Sequence, residues 1–269
     1  MLLAAAPAAW GGALDDLKSG SGAGGAAVAV SPAAGASAAY AADNGDIVYT
    51  GRRAPVTGLE ALPDETSPER PPAGPERLPV FDSKTAGVTE LPPAGVDPGN
   101  AVPGDLEQAA LAYYLSHGSE LGNTAYLGVI DFSRHSSQAR FHVIDMRTGA
   151  VRSFHVAHGE GSDPDNDGYP TVFSNLDNSH ASSLGFYLTG ATYSGDHGRS
   201  MRLHGLSETN SNAYERAVVI HSANYVQDRE VKQGRSWGCP AVSAATMRWV
   251  LQNLGGGVLI YAGLSAEAR

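Results

Sequence analysis

Two neighbouring stretches decide the reading: Val218-Val219-Ile220-His221-Ser222-Ala223-Asn224-Tyr225-Val226, then Gly234-Arg235-Ser236-Trp237-Gly238-Cys239-Pro240-Ala241-Val242. The β-branched run Val218–Ile220 reads as a buried strand that closes on His221. Cys239 follows 18 residues later, between a glycine and a proline, just ahead of a helix that Ser243 is placed to cap. It is the only cysteine of the chain, which excludes an intramolecular disulfide and a thiolate-rich metal site. A lone thiol is either an inert core residue or a reactive group. A free thiol, with a pKa of about 8.5, is only a few per cent thiolate at neutral pH, and a nearby imidazole or a helix start raises that fraction. Gly238 permits backbone geometry that turns successive N–H groups toward one point, where they can bind an oxyanion. Pro240 fixes the chain behind the sulfur. A histidine at a strand end is held in one tautomer by a neighbouring carbonyl or hydroxyl, leaving its other nitrogen for the thiol.

Working outward, Asp105 and Gln108 form a capping-box-like start, and Leu106, Ala109, Ala110, Tyr113 and Tyr114 recur at helical spacing up to Gly118. The period then changes. Strands are predicted over 125–133, 139–146 and 150–157, with Arg147-Thr148-Gly149 as a hairpin turn, and again over 184–189, 199–203, 217–221 and 258–261. A later helix runs from Ser243 to Gly255. Many short strands with one or two peripheral helices predict a mainly β protein, a sandwich or barrel.

The 269 residues divide unevenly. Residues 1–104 hold 13 of the 16 prolines, and 57 of those 104 residues are Ala, Gly, Pro or Ser. Residues 105–269 hold 16 of the 20 aromatics. The expectation is a low-complexity, disordered leader over 1–104, then one domain over 105–265, large enough to bury roughly 70% of its unfolded surface. Gly20–Ala42 lacks the large apolar side chains that offset ordering entropy, and Pro63–Gly104 reads as an extended spacer. Met1–Ala9 admits two readings, more of the leader or the remnant of an export signal that starts upstream, with Ala6-Pro7-Ala8 as a poor cleavage site.

The net charge is −10, with 12 acids against 6 bases in the leader and 16 against 12 beyond it. No basic cluster faces a phosphate backbone, so nucleic-acid binding is not expected. No apolar run reaches the length of a transmembrane helix.

At this point a family resemblance enters. The second stretch resembles the signature of the L,D-transpeptidase catalytic domain (YkuD type), in its murein-directed branch with Gly-Arg-Ser-x-Gly-Cys-Pro-Ala. Four further segments resemble that branch in order: His158-Gly159-Glu160-Gly161-Ser162-Asp163-Pro164; Phe173-Ser174-Asn175 with Ser182-Ser183-Leu184-Gly185-Phe186-Tyr187; Gly195–Leu206; and Asn210–Val226. The resemblance covers about residues 105–263. It implies an L,D-transpeptidase-like β-sandwich with Cys239 as nucleophile, His221 as base and Ser222 orienting the imidazole through its carbonyl. It further implies that Gly238 and Trp237 contribute to the oxyanion site and that Ser236 fills the signature's serine position. The chain departs from the broader family's Ser-His-Gly-Cys: Trp237 stands where a histidine is usual, and Pro240-Ala241 replaces an apolar-Arg pair. The implied reaction is acyl transfer on peptidoglycan stem peptides in the cell envelope, by an exported or periplasmic protein. The acyl group passes from the third residue of a stem tetrapeptide to an amine, giving a 3→3 cross-link. The alternatives are an L,D-carboxypeptidase, with water as acceptor, and a murein-binding module without turnover. No cofactor is implied, and the acceptor and oligomeric state stay open.

Arg235 and Arg202 are candidates for binding stem-peptide carboxylates through a guanidinium fork, with a structural ion pair as an equal alternative. His204, Tyr187 and Arg202 lie on segments that the resembled branch sets near the site, with ordinary strand packing as the competing reading. Asp163-Pro164-Asp165-Asn166-Asp167-Gly168 matches the front of a calcium loop, but the twelfth position is Ser174, not glutamate, so an acidic turn is the favoured reading. None of the nine histidines sits in an HExxH frame, and no metal is assigned.

Overall fold

The computed structural model describes residues 39–41, 45–50, 53–66 and 95–267. Two short strands, β1 (Ala39–Ala41) and β2 (Ile47–Tyr49), precede helix α1 (Gly104–His117). The meander β3 (Tyr126–Asp131), β4 (Phe141–Asp145) and β5 (Val151–Phe154) follows. Then come β6 (Val172–Phe173), the long hairpin of β7 (Gly185–Gly195) and β8 (Gly198–Gly205), and β9 (Val219–Ser222). The chain finishes with β10 (Ala241–Val242), α2 (Ala244–Asn253) and β11 (Leu259–Gly263). The protein is mainly β, as its alternating patterns predict. Eight strands form one sheet in the order β10-β9-β8-β7-β11-β3-β4-β5, and β1-β2-β6 form a smaller one.

Side chains alternate across the pleat, and both faces of the large sheet are buried at its centre, while β5 and the far ends of β7 and β8 carry exposed residues. Leu127, Val129, Ile144, Leu188 and Leu259 meet Leu106, Ala110 and Tyr114 of α1 on one face. Ile130, Phe141, Val143, Leu203, Ile220 and Ile260 pack with Met247, Val250 and Leu254 of the α2 region on the other. Full burial of each such side chain contributes about 1.5–3 kcal/mol. Helix α2 starts as predicted: Ser243 Oγ accepts the Thr246 N–H at 3.0 Å, and Asp228 accepts from the hydroxyls of Ser243 and Thr246. The capping box expected at Asp105 does not form. The helix begins one residue earlier, at Gly104, and the Asp105 carboxylate instead accepts Ser265 Oγ–H and Ala266 N–H, tying the far end of the chain to α1.

Of the leader expected over residues 1–104, only residues 39–41, 45–50, 53–66 and 95–104 are described. The expectations for Met1–Ala9 and for most of Gly20–Ala42 and Pro63–Gly104 fall outside the described residues. Residues 53–66, however, run against the domain. Leu62 N–H donates to Lys232 O at 2.9 Å, Glu65 N–H to Arg235 O at 2.8 Å, and Lys232 N–H to Glu60 O at 2.8 Å. The Arg229–Glu60 and Arg235–Asp64 ion pairs close at 2.8 and 2.7 Å. Composition indicates too little apolar surface to order this segment. The order comes instead from backbone pairing and ion pairs with a partner more than 160 residues away.

Candidate active site

Strand pairing brings the two stretches together. β9 and β10 are parallel, with His221 opposite Ala241 and Ser222 opposite Val242. Cys239 lies two residues before that register point, so its turn sits at the edge of the sheet beside the strand carrying His221. The turn is held from within. Ser236 Oγ donates to Cys239 O at 2.6 Å and accepts Gly238 N–H at 3.2 Å. Gly238 has φ +112°, and a Cβ there would meet Ala181 O at 2.8 Å, so position and conformation both require glycine. The turn is also pinned from outside by the His158-Gly159-Glu160 segment. Ser236 N–H donates to His158 O at 2.9 Å and Glu160 N–H to Ser236 O at 2.7 Å.

That pinning segment rests on a buried polar network. Arg140, fully buried, donates to Val156 O, Arg134 O and His158 Nδ1. Because a guanidinium only donates, His158 Nδ1 is an acceptor, and its Nε2–H faces Asp163 Oδ2 at 3.1 Å. Burial, ahead of the Arg140 charge, lowers the His158 pKa to about 4, which agrees with a neutral ring. Asp163 also accepts the N–H groups of Asp167 and Gly168, as an acidic turn does.

Cys239 is partly exposed on a cavity of about 270 Å³ that is also lined by Glu65, His180, Arg216, His221 and Trp237. Its Sγ accepts Val219 N–H at 3.5 Å, a contact that favours the thiolate, and its thiol faces Ala217 O at 3.7 Å. His221 is buried, and burial, then the neighbouring His197, lowers its pKa to about 3. Its Nδ1 lies 3.2 Å from Ser222 O. A carbonyl only accepts, so this contact puts the proton on Nδ1 and leaves the Nε2 lone pair available. Ser222 Oγ donates to His197 O at 3.1 Å, fixing the β7–β8 turn over the site.

Three functional-looking residues were not among the candidate site residues read from the sequence. His197, in that turn, packs its ring on His221 with centroids 4.4 Å apart. Arg216 anchors the cavity wall by donating to Ser174 O, Ser183 Oγ, Ser179 Oγ and Ala181 O. Its place five residues before His221, inside a quoted motif, was the available signal. Glu65 comes from the leader: Oε1 pairs with His197 Nε2 at 2.8 Å and Oε2 accepts Trp237 N–H at 3.0 Å. Nothing in its local sequence marks it.

The remaining candidates are distributed as follows. The Trp237 ring stacks on His180 at 4.3 Å, and the residue's backbone N–H is the one taken by Glu65. Arg235 is engaged by Asp64 and by Asp163 O, beside the cavity and not on its lining. Arg202 lies over the rings of Tyr193 and Tyr214, and His204 stacks on Tyr214. Tyr187 is buried with its hydroxyl donating to Ser183 O, and burial pushes its pKa up to about 12. Of these five, Trp237 lines the cavity that holds Cys239, and Arg235, Arg202, His204 and Tyr187 do not. Among the described residues, two groups bring three possible metal-ligand atoms within 4.8 Å of one another: Glu65, His197 and His221, and Asp163, Asp165 and Asp167. In the first, Glu65 and His197 already close on each other. In the second, Asp163 is committed to its turn.

The model of the L,D-transpeptidase catalytic domain family matches residues 101–262. The chain belongs to this family. No curated protein matches it. Solved structures similar to this L,D-transpeptidase-family chain include an L,D-transpeptidase from Mycobacterium smegmatis, 16% identical, covering 52% of this chain and 58% of the other, TM-score 0.35. L,D-transpeptidase 1 of Mycobacterium tuberculosis is 17% identical over 51% of this chain and 61% of the other, TM-score 0.30. Bd1075 of Bdellovibrio bacteriovorus is 12% identical over 51% and 47%, TM-score 0.33. The match spans less than two thirds of each of these chains. Among the described residues of the family member, no helix is long and apolar enough to cross a membrane.

Proposed function

We propose that this chain is a cysteine-dependent peptidoglycan L,D-transpeptidase of the cell envelope. The observation that carries the reading is the partly exposed Cys239 thiol on an open cavity shared with His221, whose contact with Ser222 O frees Nε2. Family membership supplies the substrate class. Cys239 gives its proton to His221 Nε2, and the thiolate attacks the carbonyl of the third stem residue, forming a C–S bond. The tetrahedral oxyanion collapses, the C–N bond to terminal D-Ala breaks, and the imidazolium protonates the departing amine. A side-chain amine of a second stem then attacks the thioester, losing its proton to His221. The C–S bond breaks and a 3→3 amide remains.

The N–H donors of the turn bear on the oxyanion. Trp237 N–H is used by Glu65 and Gly238 N–H by Ser236, so an acyl oxygen draws on the turn only by sharing these donors or through Cys239 itself. The test is acylation by a carbapenem-type probe followed by intact-mass measurement. The reading expects one covalent adduct on the protein and none on Cys239→Ala. A folded protein that takes up no adduct would reduce the domain to a murein-binding module. Incubation with a disaccharide tetrapeptide then separates cross-linked dimer from tripeptide by mass, which identifies an amine or water as acceptor.

A further inference from the structure

Glu65 lies outside the segment that matches the family, yet it reaches the centre of the site. Its carboxylate, almost wholly buried, touches His197 Nε2 at 2.8 Å and Trp237 N–H at 3.0 Å, and the His197 ring packs on His221. The strap that delivers it is built into the signature sequence. Asp64 accepts Arg235 N–H at 2.8 Å and both faces of its guanidinium fork. A Cβ on Gly234 would sit 1.8 Å from Pro63 O, so the first glycine of Gly-Arg-Ser-Trp-Gly-Cys leaves room for the strap's backbone. The strap walls the site and does not plug it, because about 270 Å³ stays open beside Cys239 with Glu65 in place.

We propose that Glu65 is a positioning residue of this site: its carboxylate holds His197 against His221 and supplies the countercharge for one proton held by the two stacked imidazoles. This rests on the reading of Cys239 and His221 as nucleophile and base. When the Cys239 proton moves to His221, the imidazolium forms in a buried place that disfavours charge. A nearby carboxylate lowers that cost. Among the described residues, the other titratable groups lining the cavity are Asp177, His180, Glu215, Arg216 and Cys239, and Tyr225 lies behind the carboxylate. Of these acids, Glu65 is the one within ion-pair distance of a ring in this stack.

The test compares the full chain with Glu65→Gln, which keeps the shape and removes the charge. The histidine ring signals are followed by NMR from pH 4 to 9, and acylation by the carbapenem-type probe is timed in parallel. The expected result is that the imidazole pair loses its proton at a pH lower by about one unit or more, with acylation slowed by about tenfold. An unchanged titration in folded Glu65→Gln overturns the proposal, and so does faster acylation, which would make the strap an obstruction. Should Glu65→Gln fail to fold, Asp64→Asn, which loosens the strap and leaves Glu65 charged, decides in its place. It is expected to move the titration the same way by a smaller amount, and no movement overturns the proposal. A wild-type protein that takes no adduct sinks the enzymatic reading separately, since the titration is read without turnover.

Discussion

His221 is the register partner of Ala241 across the parallel pair β9–β10, and that backbone register sets the Cys239 turn alongside the imidazole. The pairing fixes main chain, so removing the imidazole leaves the position of Cys239 intact. His221→Ala is therefore expected to keep the fold and lower turnover by about 10²–10⁴-fold, the scale of a positioned acid–base group. Single-turnover acylation measures it, and a loss below tenfold would remove His221 from the mechanism.

Arg216 makes four hydrogen bonds to four acceptors from a largely buried position, and burial lowers its pKa while the Tyr187 and Cys239 charges oppose the shift. A lysine offers one nitrogen in place of the planar fork. Arg216→Lys should lose about 2–3 kcal/mol of stability in urea unfolding, since hydrogen bonds to charged groups are worth about 1.5–3 kcal/mol each and some will re-form. A loss under about 0.5 kcal/mol would show that the wall does not depend on the fork.

Gly234→Ala tests whether the strap depends on close approach. The added methyl meets a backbone oxygen, which cannot swing aside as a side chain can. The Leu62 and Glu65 amides, bonded to Lys232 O and Arg235 O, should exchange with deuterium at least tenfold faster, a loss of about 1.4 kcal/mol in local stability. The amides of β3 and β4 should be unaffected. Equal protection of the strap in the variant would mean that the strand edge gives way instead.

Stability should fall as pH drops from neutral toward about 4. Burial lowers the pKa of His142 to about 4, of His158 to about 4 and of His221 to about 3. The unfolded chain takes up protons near pH 6.5, while the folded chain cannot until these lower values, so the unfolded state gains between them. The sign is thus one of increasing stability from pH 4 to 6.5, then a plateau. Melting temperatures at pH 5 and 7 measure it, and His142→Asn should shrink the difference. A melting temperature that is flat over that range would show these rings to be charged in the fold.

Much of this was readable along the chain. The strands from 125 to 157 with their Arg147-Thr148-Gly149 hairpin turn and the Ser243 cap follow from period, turn residues and a side-chain oxygen, all local signals. β7 alone ran well beyond the predicted 184–189, because β8 pairs with it to Gly195. The candidate pair of Cys239 and His221 was also legible, since a glycine before and a proline after the sulfur mark a shaped turn. Arg235 read equally as a carboxylate fork or as one half of a structural ion pair, and it is held by Asp64, because a guanidinium's partner is set by what folds next to it.

What the order of residues fixed, then, was the β-rich character, the Ser243 helix cap, a strand ending on a histidine and a thiol in a glycine–proline turn, because each is a local pattern; the β9–β10 register is what sets the last two side by side. What had to wait for the folded chain was the arrival of Glu65 and His197 over His221 and the wall built by Arg216. Glu65 crosses more than 170 residues to reach Trp237, and a contact of that span leaves no periodicity or composition in the segment that makes it. Its energy lies in ion pairs and edge hydrogen bonds that exist only once both surfaces are formed.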